Sequence, residues 1–378
     1  MFTQNLSEQI EYHEQILFIS REVGDRRVEG EALSNLGLVY RNLGQLQQAI
    51  ECHRQALAIS CEVGDRRSEG ADLANLGLAC TALGLVEQAV EYHQQALAIS
   101  CELEDRRSEG ANSSNLGLAY RRLGQADQAI ECHWQALIIS REVGDRHGEG
   151  ADLTNLGLAF AMRGQIKQAT RCHRQALGIS REIGDRHGEG ANLGNLGNVY
   201  MALGQMERAI EYCEQALVIS REVGDRRAEG MNLGCLGNAC AALGQVERAI
   251  EYHEQALVIS REIGHRRDEG ANLGNLGASY ATLGQLDRAI EHYGQALAVS
   301  RAICDRHGEG VHLGNLGRAY AALGQIERGI GYCEQALTIL REINSPYAGR
   351  IRGWLAQLTE RISGTLSVLA EAEPLSAT

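Results

Sequence analysis

Residues Gly190 to Gly204 read GANLGNLGNVYMALG, and almost the same phrase opens again at Gly230, Gly270 and Gly310. Between two copies runs QMERAIEYCEQALVISREVGDRRAEG. A fixed period of about 40 residues, kept nearly from end to end, is the mark of a stacked-repeat protein. Such arrays grow in one dimension and bury their apolar faces between neighbours, so 378 residues need not divide into two or three globular domains.

Working outward, Leu193, Leu196, Gly197 and Tyr200 recur at helical spacing. They predict an amphipathic helix A from about Arg186 to Leu203. Gly204 stands where a left-handed residue ends a helix. Helix B is expected from about Met206 to Val223, with Ala209, Ile210, Cys213, Ala216, Leu217 and Ile219 on its apolar face. Gly224 ends it, and Asp225 is a natural N-cap for the next helix A. Turns this short make neighbouring helices antiparallel. Gly197 and its equivalents cost roughly 1 kcal/mol each against Ala inside a helix. Close backbone approach between helices A and B, with Ala209 and Ala216 opposite, is the expected reason.

Eight full units begin at Glu31, Ala71, Ala111, Ala151, Ala191, Met231, Ala271 and Val311, filling residues 31–346. Residues 1–30 match only the second half of a unit, with His13 aligned to His53. They read either as a cap or as a start inside a longer array. Ser345-Pro346 predicts the start of a last helix over 347–363 that covers the final unit. Residues 364–378 carry no matching period and are expected to be disordered.

Few aromatics and only two prolines leave an aliphatic, Ala-rich, all-α chain. The net charge of −13 argues against nucleic acid, which needs a basic footprint. No apolar run reaches membrane-span length, and MFTQNLSEQIEYHE has no signal-peptide architecture. The 11 cysteines occupy slots that Tyr, His, Phe or Arg fill in other units, so free thiols in a reducing cytoplasm are expected.

The run Leu193-x-x-Leu196-Gly197-x-x-Tyr200, then Ala209-x-x-x-Cys213, then Ala216, resembles the tetratricopeptide signature, with Leu for its Trp and a longer helix B for its late Pro. The 40-residue unit is similar to the elongated subclass that includes Pins/LGN scaffolds, kinesin light chains and many bacterial regulatory proteins. The arginine-over-lysine bias resembles the bacterial members. The resemblance implies a right-handed superhelical α-solenoid whose inner wall is lined by helices A. It implies a protein-binding role without catalysis or cofactor.

Within helix A the Leu-Leu-Gly-Tyr face is nearly constant, which reads as packing. The other face varies, except for one row: Asn35, Asn75, Asn115, Asn155, Asn195, Asn275 and Asn315, broken only by Cys235. A side-chain amide can grip the N–H and C=O of an extended peptide together. Helices about 8–10 Å apart would meet such a chain about every third residue. The resemblance implies the same use of this asparagine. The other reading is that it caps or bridges neighbouring helices. Asn198 and Asn238 lie one turn further on. Arg41, Arg121, Arg122 and Arg318 add charge that would suit an acidic peptide, or are solvated surface. Gly194, Gly234 and Gly274, with Ala202, Ala241, Ala242 and Ala281, predict a roomy section.

His53, His93, His133, His173 and His253 share a helix B slot. Their Cys neighbours do not share a face with them, and no zinc spacing appears, so packing is the reading and no metal is expected. GNLGN lies within a helix after no strand, which excludes a phosphate loop. No catalytic constellation stands out. The GDRR recurrence reads as a helix cap with exposed charge. Two functions remain: a cytoplasmic scaffold that holds a partner's peptide in the groove, or the sensor arm of a larger bacterial signalling NTPase or transcription regulator. The partner and the oligomeric state are not legible.

Overall fold

The computed structural model describes residues 2–371 in its secondary structure and the side chains of residues 6–360. The described chain is helical and carries no strand. In order the helices are α1 (Phe2–Val23), α2 (Arg26–Asn42), α3 (Leu46–Val63), α4 (Arg66–Leu83), α5 (Val86–Glu102), α6 (Arg106–Arg122), α7 (Ala126–Glu142), α8 (Arg146–Met162) and α9 (Ile166–Ile183). Then come α10 (Arg186–Ala202), α11 (Met206–Glu222), α12 (Arg226–Ala242), α13 (Val246–Glu262), α14 (Arg266–Thr282), α15 (Leu286–Ala302), α16 (Arg306–Ala322), α17 (Ile326–Glu342) and α18 (Tyr347–Glu371). Even-numbered α2 to α16 are the helices A and α3 to α17 the helices B.

The helices gather into two compact bodies, Met1–Gly188 and Glu189–Thr378. Inside the first, each helix from α1 to α8 packs on the next, and α2, α4, α6 and α8 touch in series. Inside the second, α11 to α18 repeat the pattern, and α12, α14, α16 and α18 touch in series. Paired helices stacked in this way are solenoid repeats, because each pair hides its apolar stripe only against its neighbours.

The recurring leucines form the core. Leu156, Leu193, Leu196, Leu233, Leu236, Leu273 and Leu276 are almost wholly buried, as are the helix B alanines such as Ala209 and Ala216. Each such leucine stabilises by about 1.5–3 kcal/mol on transfer from water. The glycine inside helix A makes room for a side chain rather than for backbone alone. A Cβ at Gly77 would lie 2.5 Å from the His93 ring, and one at Gly277 2.7 Å from Tyr293. The expected backbone approach is met in the last repeat, where Gly329 replaces Ala. There a Cβ at Gly317 would sit 2.8 Å from the Gly329 carbonyl oxygen.

Turn chemistry follows from the sequence. Gly204 and Gly224 both take φ 72°. Asp225 accepts a hydrogen bond from the Ala228 N–H at 2.9 Å, which caps α12. His265 fills the same slot before α14 without a capping bond and lies 2.9 Å from Asp268.

The first arginine of GDRR, together with the arginine five residues before it, does more than remain as exposed charge. Arg221 donates to Glu229 at 2.8 Å, and Arg226 bridges Glu229 to Glu262 on the following helix B. Burial works to raise the Glu229 carboxyl, but the bonds from Arg221 and Arg226 hold it below the usual range. The same triad joins Arg141 and Arg146 to Glu149, and Arg301 and Arg306 to Glu309. At the far end Ser345 Oγ accepts from the Tyr347 N–H at 3.3 Å. Helix α18 then continues to Glu371, past the expected limit of 363. The rest of the expected disordered tail, residues 372–378, lies outside the described residues.

Candidate functional site

Two polar rows run along the helices A, three residues apart. The first, Asp72, Asn112, Asp152, Asn192, Asn232, Asn272 and His312, was not singled out from the sequence. It is buried throughout. Asp72 accepts from Ser34 at 2.8 Å and from Ser60 at 3.3 Å. Asp152 accepts from Ser114 and from Ser140, each at 2.8 Å. Burial pushes the Asp152 carboxyl up, against the pull of those two hydroxyls. These bonds cross from one repeat to the next, so Asp72 and Asp152 lock neighbouring repeats together.

The same row explains the glycines expected to leave room. A Cβ at Gly194 would meet Asn232 Oδ1 at 2.8 Å, and one at Gly274 would meet the His312 ring at 2.6 Å. The space at Gly274 belongs to the next repeat's side chain. Position four faces the following position two: Ser34 faces Asp72, Ser114 Asp152, Gly194 Asn232 and Gly274 His312. The one trace of this pairing in the sequence is a serine 38 residues before each aspartate of the row.

The second row is the predicted one. Asn75, Asn115, Asn155, Asn195, Asn275 and Asn315 are half-buried, and Asn35 is exposed. Among the described residues, Asn75 is the one member whose side chain takes a hydrogen bond, from Arg41 Nη1 at 3.4 Å. Capping or bridging therefore accounts for that one position. In the second body, Asn195, Asn198, Asn238 and Asn275 line a single cavity of about 340 Å³ with Ala191, Gly194, Met231, Gly234 and Cys235. Three successive helices, α10, α12 and α14, supply its walls. Asn315 and Arg318 border another hollow of about 350 Å³ with Ala281, Thr282 and Tyr293. In the first body Asn35 and Asn115 border separate hollows beside Ser34 and Ala74.

The four predicted arginines do not form one open cationic row. Arg41 is tied to Asn75. Arg122 donates to the Thr81 carbonyl at 2.7 Å, at the end of α4. Arg318 lies over the Trp354 ring at 4.5 Å. Arg121 is half-buried, its Nε has no partner, and burial pulls its guanidinium below the usual value.

Of the cysteines, Cys213 on α11 and Cys235 on α12 form a disulfide, with Cα atoms 6.6 Å apart. This corrects the expectation of free thiols at that pair. The slots are far apart in the repeat, but helix packing brings them face to face. The other nine are free. Burial pushes Cys132, Cys172 and Cys333 up to about 11, so these are packing groups and poor nucleophiles.

The buried histidines pack against the helix A glycines. His93 and His133 have neither ring nitrogen bonded, and burial lowers both to about 4. Among the described residues no group of three or more His, Cys, Asp or Glu is placed to hold a metal ion. No described helix is long and apolar enough to cross a membrane.

No curated protein matches the chain by sequence. Among solved structures, the apo form of the quorum sensor NprR from B. thuringiensis is similar at 14% identity and TM-score 0.65, over 90% of this chain and 100% of that one. The tetratricopeptide sensor protein PH0952 of the STAND ATPases, from Pyrococcus horikoshii, is similar at 17% identity and TM-score 0.64, over 93% of this chain and 55% of that one. Kinesin light chain-like repeats from Podosopora anserina match at 27% identity and TM-score 0.46, over 52% of this chain and 96% of that one. At these levels the likeness to NprR and PH0952 concerns the fold. A family model described as tetratricopeptide repeat matches residues 8–62, 28–102, 109–182, 189–262, 227–302 and 268–342. Helix pairs of fixed length, Gly-ended turns and six matches along the chain lead to one conclusion: this is a member of the tetratricopeptide repeat family.

Proposed function

We propose that this protein is a non-enzymatic interaction scaffold that holds an extended peptide segment of a partner protein on the outward asparagine row of its helices A. The observation that carries the reading is the contrast between two Asn/Asp rows on one set of helices. In the buried row, Asp72, Asn112 and Asp152 are bonded between repeats. In the second row, Asn35, Asn115, Asn195, Asn275 and Asn315 border hollows, and Asn195, Asn198, Asn238 and Asn275 converge on one of them. An amide with free donor and acceptor, repeated along stacked helices, suits a peptide backbone whatever its sequence. Tetratricopeptide repeats are in general non-catalytic scaffolds, and a cytoplasmic setting agrees with nine free thiols.

The test uses an array of extended peptides of varied sequence, probed with the full chain and with the Asn195→Ala/Asn275→Ala variant. The variant should lose at least tenfold in affinity across unrelated sequences while its helicity and melting stay unchanged. Binding that survives in the variant would remove the asparagine row from the mechanism. A second reading is the sensor arm of a larger signalling protein. The neighbour PH0952 is described as a STAND protein with a tetratricopeptide sensor, and this chain spans 55% of it. Finding no NTPase or DNA-binding segment in the intact gene product would count against that reading.

A further inference from the structure

The outward row is broken once, and the break is double. Cys235 replaces asparagine, and Cys213 replaces the histidine found at His53, His93, His133, His173 and His253. The two slots belong to one helix B and the helix A that follows, 22 residues apart. Where His93 and His253 stand, Asn115 and Asn275 follow at that spacing. Cys333 also fills the histidine slot, but Leu355 stands 22 residues on. Only at α11–α12 do both slots become cysteine, and there the two sulfurs are joined.

The position gives the pair a consequence. Cys213 is fully buried, while Cys235 is 5% exposed and belongs to the wall of the cavity with Asn195, Asn238 and Asn275. The Cα separation of 6.6 Å lies within the span a disulfide accepts. We propose that Cys213–Cys235 is a redox-controlled clamp: closed, it fixes α11 to α12 on one side of this cavity; open, it lets the two helices separate locally. Opening begins when the thiolate of an external thiol attacks the sulfur of Cys235, the member of the pair that borders the cavity. The S–S bond breaks and Cys213 leaves as a thiolate that takes a proton. A second external thiolate then attacks the mixed disulfide, releases Cys235 as a thiolate that takes a proton, and forms the small-molecule disulfide. Closing is the reverse with a small-molecule disulfide as oxidant: Cys235 forms a mixed disulfide, one thiol departs, and Cys213 displaces the second. Thiol and disulfide forms exchange in this way whenever access and redox poise allow.

The clamp is tested on the full chain in buffers of varied oxidised-to-reduced glutathione ratio. Alkylation and mass spectrometry read the cross-link, and hydrogen exchange reads the helices. The cross-linked peptide should form and disappear reversibly. Amides of α11 and α12 should exchange on the order of a hundredfold more slowly in the closed form, since a loop of this size constrains the open chain by about that factor. The Cys213→His/Cys235→Asn variant restores the residues used elsewhere in the array and should exchange identically in both buffers. Cys235→Ser makes the same comparison with a smaller change in volume. Thiols that stay free at every ratio, closed and open forms that exchange alike, or a redox difference that persists in either variant would each overturn the proposal. The outcome does not depend on peptide binding.

Discussion

Asn155 and Asp152 stand three residues apart on α8, and they have opposite fates. Asp152 is 4% exposed and takes two hydroxyl bonds that tie neighbouring repeats together. Asn155 is half-buried and takes none among the described residues. On α14 in the second body Asn272 is buried and Asn275 half-buried, and both line the cavity. Residue type therefore does not decide burial in this chain. Register does: a step of three residues moves a polar side chain from the seam between repeats to the surface left open.

The largest break between lining and surface should come from acid. His93, His133 and His253 are buried, and burial holds each at about 4 in the folded chain, against 6.5 when exposed. Near His133 the Arg121 guanidinium acts in the same direction. The unfolded chain therefore takes up these protons first as the pH falls. The stability tied to neutral histidine is fully present above about 6.5 and is lost as the pH falls toward 4. Each site carries up to about 3 kcal/mol of this linkage. Melting temperature should drop steeply over that window. Replacing His133 with Cys, the residue natural to this slot at Cys333, should flatten the drop by about one proton. An unchanged slope would mean that the buried rings do not control it.

Next in size is the matched pair on α8. Asp152→Ala strands the Ser114 and Ser140 hydroxyls and should cost about 2–3 kcal/mol. Asn155→Ala should stay within about 0.5 kcal/mol. Urea midpoints are the suitable measure, because long repeat arrays need not unfold in two states. Equal midpoints for the two variants would erase the distinction between the rows.

Much of this was legible in advance. The period fixed the helices, and Arg186 and Met206 begin α10 and α11 where the pattern placed them. The asparagine row was legible because it alone is constant on an otherwise variable face. The buried row was not, because Asp, Asn and His alternate at one slot and look like variation. Its meaning depends on the partner 38 residues away, which a single-helix pattern does not reveal. The contacts of the arginines were hidden for a related reason. Arg41 and Arg318 find partners on other helices, Asn75 and Trp354, and sequence spacing alone does not pair them. Cys213 and Cys235 stand in two different slots of the repeat, and packing alone joins them.

The smallest effect is also the most exact probe of how the rows interlock. Gly234 and Gly274 hold the same place in α12 and α14, yet the next repeat fills the space before them differently. A Cβ at Gly274 would press on the His312 ring at 2.6 Å, whereas one at Gly234 finds Asn272 Oδ1 at 3.6 Å, an ordinary contact. Gly274→Ala should therefore destabilise by about 1–3 kcal/mol, since the ring must shift in a packed seam. Gly234→Ala should stabilise by up to about 1 kcal/mol, because alanine restricts the unfolded chain and favours the helix. Opposite shifts in melting temperature from one chemical change at equivalent positions would locate the seam at position two of the following repeat. If both variants melt lower by the same amount, the glycines serve the helix–helix approach alone, and the pairing of position four with the next position two has no energetic content.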